Sequence, residues 1–307
     1  MPTRMLPVPE GLAGMRADAG IARLLGLSRT RAAAVLTDGG AEQDGRRLER
    51  ADRREAGAVR EITWEDAAPA QVVPQEIAGM AVRYLDDDLV VVDKPVGVVA
   101  HPATSWTGPT VLGGLAALGI SVAPAGPPER QGIVQRLDVG TSGLMMVART
   151  VPAYSALKQM FREHTVDKIY HAVAHGQMDP LSGTIAGPIG RAPGSEWKFA
   201  VVAGGKPAVT HYDTLEAFRY GSLLEIHLET GRTHQIRVHL SAEHHPLMGD
   251  PLYGADPTLA ARLGLTRQWL HAVRLSFDHP ITGARVDVRS DYPADLSAAL
   301  ETLRRGD

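Results

Sequence analysis

The sequence predicts an α+β protein, with a mainly antiparallel sheet and flanking helices preceded by a small α/β module. Three observations carry this. From residue 81 onward, short strand-like runs follow one another, most without a helix between them, which favours an antiparallel sheet over a doubly wound one. Residues 16–62 form a separate, arginine-rich pattern of two helices and a hairpin. Between these regions, residues 63–80 hold two prolines and little periodicity, as a linker does.

Residues 1–15 are expected to be a flexible N-terminus, and they lack the apolar run of a signal peptide. In RADAGIARLLG, Ile21, Leu24 and Leu25 stand at helical spacing and Gly26 ends the run. Ser28 suits the N-cap of a second helix closed by Gly39 and Gly40, and Asp44-Gly45 suits a hairpin turn. Arg29 and Arg31 fall in the first turn of that helix, where free backbone N–H groups favour a phosphate. The chain's net charge of −3 is unevenly spread: residues 16–60 hold ten arginines against seven acids, leaving the remainder acidic. A basic module on an acidic body suggests a polyanion partner, although a solvated arginine-rich surface reads the same by charge alone.

The domain from 81 to 307 offers strands at LVVVD, GIVQRL, GLMMVA, KIYHAVAHG, AVTHYDTLE and SLLEIHLET, and helices at TVLGGLAAL, PAYSALKQMFREH, THQIRVHLSAEH and ADLSAALETLRR. In the third helix Thr233 is the expected cap. His234, Arg237 and Ser241 share one face there, and Ile236 and Leu240 the apolar one. The stretch GIVQRLDVGTSGLMMVAR (132–149) reads as a strand, a polar turn and a more apolar strand. Taken by itself, its lone Asp138 is most simply a turn stabiliser.

Several classes of function lose their basis. There is no cysteine, hence no disulfide and no thiolate nucleophile. No run nears the ~18 apolar residues of a membrane span, so a cytoplasmic protein is expected. Twelve histidines invite a metal, but none stands at ligand spacing, and no phosphate-loop or dinucleotide fingerprint occurs. No metal and no cofactor are expected.

QRLDVGTSGLMMVAR resembles the central motif of the RluA-type pseudouridine synthases, H-R-L-D-x-x-T-S-G-L. DKPVGVVAHP is similar to their first motif, KIYHAVAHG to the strand bearing their tyrosine, and LETGRTHQIRVHLSAEHHPLMGDPLYG to their third motif. LHAVRLSFDHPITG resembles the end of their domain, so the likeness spans nearly all of 81–290. Residues 16–62 resemble the S4 RNA-binding module through Arg16, Asp18, Leu24, Ser28, Arg29 and Gly39-Gly40. They depart from it in AEQDG, where the strand pairing looks weak. With GTIAGPIGR and GKPAVTHY, the likeness points to the branch acting on large-subunit ribosomal RNA, around helix 69.

The resemblance implies isomerisation of uridine to pseudouridine without a cofactor. The N1–C1′ bond breaks, the uracil turns, and it rejoins through C5. Asp138 would be the reacting carboxylate, whether it attacks the sugar or base or removes a sugar proton. A free aspartate, with a pKa of ~3.9, is ionised at pH 7 and needs no activating base. Arg237 would hold it in a bidentate grip and Tyr170 would stack on the base. Arg136 and Gln135, the latter standing where the family has histidine, would contact RNA, with Arg23, Arg29 and Arg31 of the S4-like module. The partner implied is RNA, with no membrane and no protein partner inferable. The turn Thr141-Ser142-Gly143 would aim Asp138 into a cleft and leave room for the RNA backbone. Three other readings stand beside this one: an RNA-binding ribosome-assembly factor with an inactive synthase-like domain, a synthase acting on tRNA, and a small-molecule hydrolase using Asp138.

Overall fold

A computed structural model of the chain describes residues 3–25, 29–43, 46–53, 59–63, 72–103, 106–195 and 197–306. The chain divides into two compact units, Met1–Ala68 and Pro69–Asp307.

The first unit contains β1 (Thr3–Pro7), α1 (Ala17–Leu25), α2 (Arg29–Thr37), β2 (Ala41–Gln43), β3 (Arg46–Arg47) and β4 (Val59–Thr63). Its sheet runs β1-β4-β2-β3, antiparallel throughout. Residues 3–7, expected to be flexible, are thus a strand paired residue for residue with β4. Five residues are too few for periodicity to separate strand from coil, and the partner that orders them lies some 55 positions away. β4 also takes in Thr63, the first residue of the expected linker. The weak AEQDG strand pairs with β3 at only two positions and is completed by β4. Ile21, Val35, Leu36, Leu48 and Ile62 form the core. Gly26, Ser28 and the Asp44-Gly45 turn lie outside the described residues.

The second unit holds β5 (Ala81–Leu85), β6 (Leu89–Lys94), α3 (Val111–Ala117), β7 (Ser142–Ala148), α4 (Val151–Glu163) and β8 (Asp167–His175). It continues with β9 (Ser182–Ala186), β10 (Ile189–Arg191), β11 (Phe199–Val201), β12 (Val209–Ala217), β13 (Gly221–Leu228) and α5 (Gln235–Ala242). It ends with α6 (Pro257–Arg262), β14 (Leu270–Asp278), β15 (Arg285–Arg289) and α7 (Ala294–Arg305). The large sheet runs β5-β6-β7-β14-β8-β13-β12-β9, and β15 also pairs with β14. Every pairing is antiparallel except β7 with β14. β7 meets β14 only at His271 and Ala272, after which β15 takes over from Arg274, so the sheet forks there. Thr110 and Thr150 cap α3 and α4 by accepting from Gly113 N and Ala153 N, which is why both helices begin where they do.

Two expectations need correction. The second half of the expected linker belongs to this unit: Ile77 and Met80 pack on the core, and Gln75 N donates to Gly113 O. GIVQRL is not a strand. Ile133 makes one isolated bridge to Val147, while Ile133 and Leu137 enter one core cluster and Val134 another. A continuous apolar run looks the same whether it is a buried strand or a buried loop feeding two cores.

Gly143 explains the fork. Its φ is +110°, and a Cβ there would stand 2.3 Å from Ala272 O. The small residues that open β7 therefore admit β14. Beside them runs a buried polar chain. Ser290 Oγ donates to Asp93, so it accepts from His271 Nε2, and His271 Nδ1 accepts from Ser142 Oγ. This uses a neutral imidazole. Burial lowers the His271 pKa from 6.5 to about 4, against the pull of Asp93. Its folded value lies below its unfolded one, so its contribution is full above pH 6.5 and is lost as pH falls through 4. A displacement of that size is worth about 3 kcal/mol. Urea unfolding at pH 7 and pH 4.5 should show a loss of stability that is smaller in His271→Gln.

Candidate active site

The loop that enters β7 carries Asp138. The bend spans Asp138 to Thr141, with Thr141 N donating to Asp138 O at 3.0 Å, so it begins three residues before the Thr141-Ser142-Gly143 turn expected. Two segments hold it through three hydrogen bonds: Gly97 N donates to Val139 O, Arg267 Nη1 to Gly140 O, and Gln268 Nε2 to Thr141 Oγ1. Lys94 braces the first of these. It is fully buried at the end of β6, and its Nζ donates to Val98 O at 2.8 Å and Pro95 O at 3.0 Å. Burial pulls its pKa to about 7, while the charge of Asp138 opposes that shift.

Arg237 lies on α5, where Gln235 to Leu240 are all buried. Three of those six are polar, and each has fixed partners. Gln235 donates to Val209 O and Thr210 Oγ1, and it accepts from Thr230 Oγ1 and Arg232 N. His239 lies between Thr210 Oγ1 and Gly187 O. Arg237 sends Nη1 to Asp138 Oδ2 at 3.1 Å. The expected two-pronged grip on Asp138 is instead a single hydrogen bond. The fork closes on Asp250, with Nε to Oδ2 at 2.7 Å and Nη2 to Oδ1 at 2.9 Å. Asp250 is completely buried and also accepts from Leu252 N and Tyr253 N. Burial would lower the Arg237 pKa, but the hydrogen bonds and charge of Asp250, and then Asp138, raise it.

Thr233 does not cap α5. The cap position is His234, with φ +57°, and its side chain caps nothing. Gln235, through Arg232 N, ties down the entrance to the helix instead. His234 Nδ1 meets Tyr253 Oη at 2.8 Å, and Nε2 stands 3.8 Å from Asp138 Oδ2. Lys94, His234, Asp250 and Tyr253 all lie in stretches singled out for their motifs, yet nothing in spacing marked them as partners of Asp138 and Arg237.

Tyr170, buried on β8, lines a recess of about 80 Å³ together with Asp138, Arg237, Leu228, Ile236 and Leu270. Burial raises its phenol pKa, with a further push from the Asp138 charge. A cleft of about 580 Å³ adjoins, with Arg130, Arg136, Lys158 and Arg232 on its walls. A depression of about 450 Å³ shares Arg136, Lys158 and Arg232 and adds Arg162 and Lys168. Asp138 is the one acid lining any of the three among the described residues. Arg136 is exposed, and Gln135 is half-buried, its Nε2 without a hydrogen-bond partner among the described residues. Of the N-terminal arginines, Arg23 is exposed, whereas the side chains of Arg29 and Arg31 lie outside the described residues. No cluster of three potential metal ligands occurs among the described residues, and no helix there is long and apolar enough to cross a membrane.

Comparison with known proteins identifies the family. The family model for RNA pseudouridylate synthase matches residues 88–242. An "Uncharacterized RNA pseudouridine synthase" of Mycobacterium bovis is 58% identical over 99% of both chains. The ribosomal large subunit pseudouridine synthase D of Neisseria meningitidis is 43% identical over 97% of this chain and 81% of its own. Among solved structures, human RNA pseudouridylate synthase domain containing 1 superposes with a TM-score of 0.59 and 26% identity, covering 75% of this chain and 97% of that one. The chain belongs to the RNA pseudouridylate synthase family and is an RNA-modifying isomerase.

Proposed function

We propose that the protein converts uridine in large-subunit ribosomal RNA, in the helix 69 stem-loop, to pseudouridine in the cytoplasm. Asp138 is the reacting carboxylate, Arg237 holds it, and Tyr170 stacks on the base. The observation that carries this reading is a lone acid, pinned by a guanidinium, shared by the cleft and the recess, whose other charged walls are cationic. Such walls suit a phosphate backbone, which dominates the affinity of nucleic-acid binding. The acid suits a nucleoside flipped out of its stem at a cost of a few kcal/mol. Arg136, exposed beside the acid, is placed to meet that backbone, and Gln135 contributes to target reading. The relatives named for the ribosomal large subunit support this choice of RNA over tRNA.

Residues 16–62 serve as an S4-like RNA-binding module through Arg23, Arg29 and Arg31. Removing residues 1–62 should weaken RNA affinity and flatten its dependence on salt, as measured by filter binding across a salt series. Unchanged binding would refute the module's role.

Tritium release from [5-³H]uridine-labelled large-subunit ribosomal RNA tests the reaction. Site mapping of pseudouridine in ribosomal RNA from cells with and without the gene tests the target. Release by the wild type excludes an inactive assembly factor, and loss of a modified position outside helix 69 would relocate the target.

A further inference from the structure

We propose that His234 is a further catalytic residue, whose Nε2–H is held at the cleft as a hydrogen-bond donor to a carbonyl oxygen of the target uracil. This inference rests on the uridine-isomerase reading above and adds to it a group that reacts to charge on the base.

The argument begins with Tyr253. Its hydroxyl accepts from Phe199 N at 3.1 Å and meets His234 Nδ1 at 2.8 Å, and among the described residues it has no third partner. A phenol has one hydrogen, and among the described residues the only acceptor in reach is Nδ1. Tyr253 therefore donates to Nδ1, which leaves the proton of a neutral imidazole on Nε2. Burial lowers the His234 pKa, against the pull of Asp138, so the ring is neutral at pH 7.

The direction of Nε2 is fixed as well. His234 sits in the left-handed region at the head of α5, and its ring makes T-shaped contacts with Phe199 and Tyr253 at 5.7 and 5.6 Å between centroids. Its side chain lines both the cleft and the recess of Asp138 and Tyr170. At 3.8 Å from Asp138 Oδ2, Nε2 is beyond hydrogen-bond reach of the carboxylate, which already accepts from Arg237. Among the described residues its N–H is thus unused, and it faces the space a base must enter.

The reaction gives that N–H a task. When N1–C1′ breaks, the bonding electron pair stays with the uracil and spreads onto its carbonyl oxygens. When C5–C1′ forms, the C5 hydrogen leaves and N1 gains one, so atoms and charge balance. A donor fixed in advance where such charge appears lowers the barrier more than it strengthens binding of the neutral base.

The test uses full-length protein and in vitro-transcribed large-subunit ribosomal RNA labelled with [5-³H]uridine. His234→Phe should slow single-turnover tritium release by about 10²-fold, with RNA half-saturation within about threefold. His234→Gln, which retains an N–H donor, should recover most of the rate. Tyr253→Phe should slow release by about 10-fold and add nothing further in the His234→Phe background. A purely structural role for Tyr253 would instead give additive losses. Wild-type rates in His234→Phe, with Asp138→Asn inert, would overturn this inference alone. A wild type that releases no tritium would overturn it together with the reading it rests on.

Discussion

Asp138→Asn should bind ribosomal RNA with an affinity within about threefold of wild type yet form pseudouridine on the order of 10⁴-fold more slowly. The amide keeps the shape of the carboxylate but neither its charge nor its nucleophilicity. The fold should tolerate the change, because Arg237 keeps its paired contacts to Asp250 and Asp138 is about one-quarter exposed. Filter binding and tritium release together check the result. A variant retaining a tenth of wild-type release would remove Asp138 from the chemistry.

The second large effect comes from the other aspartate on the same arginine. Asp250→Asn leaves a buried guanidinium without its full counter-charge. Breaking a buried pair in this way typically costs 3–5 kcal/mol, so about 3 kcal/mol is expected for this isosteric change. In a domain of this size that lowers Tm by roughly 6–12 °C. Activity should fall as well, since Nη1 no longer holds its position against Asp138. Because the two groups form one unit, the double variant Asp250→Asn, Arg237→Gln should be less destabilised than the sum of the singles. Thermal melts and tritium release measure both quantities. Normal melting and normal turnover in Asp250→Asn would mean that Arg237 is positioned by something else.

The contrast between these two acids shows where sequence reading succeeded and where it stopped. Strands with clean alternation or a long apolar run, such as Leu89–Lys94, Asp167–His175 and Val209–Ala217, were legible because one face or both must be buried. The helices at 111–117, 151–163 and 294–305 were legible from spacing. Thr3–Pro7 and the irregular 132–137 were not, because distant partners, and not local pattern, determine what those residues do. Pro257–Arg262 was missed because six residues make too little of a period.

At the site, motif likeness nominated Asp138, Tyr170 and Arg237, and the structure brings all three to one recess. It could not say which carboxylate the arginine grips. Asp250 is 112 residues from Asp138 in the chain, and only the folded turn at 247–250 sets it against α5. The tautomer of His234 was equally out of reach, since it depends on a tyrosine hydroxyl and a backbone amide from two other segments.

The division of labour at Arg237 has a kinetic consequence. Two of its three hydrogen bonds go to an acid that is completely buried, and only one reaches Asp138. If Asp138 is the reacting carboxylate, as proposed above, freeing it for the nucleoside requires breaking one charge-assisted hydrogen bond, worth about 1.5–3 kcal/mol. The paired bonds from Arg237 to Asp250 need not break for that, so the guanidinium would keep its place between turnovers.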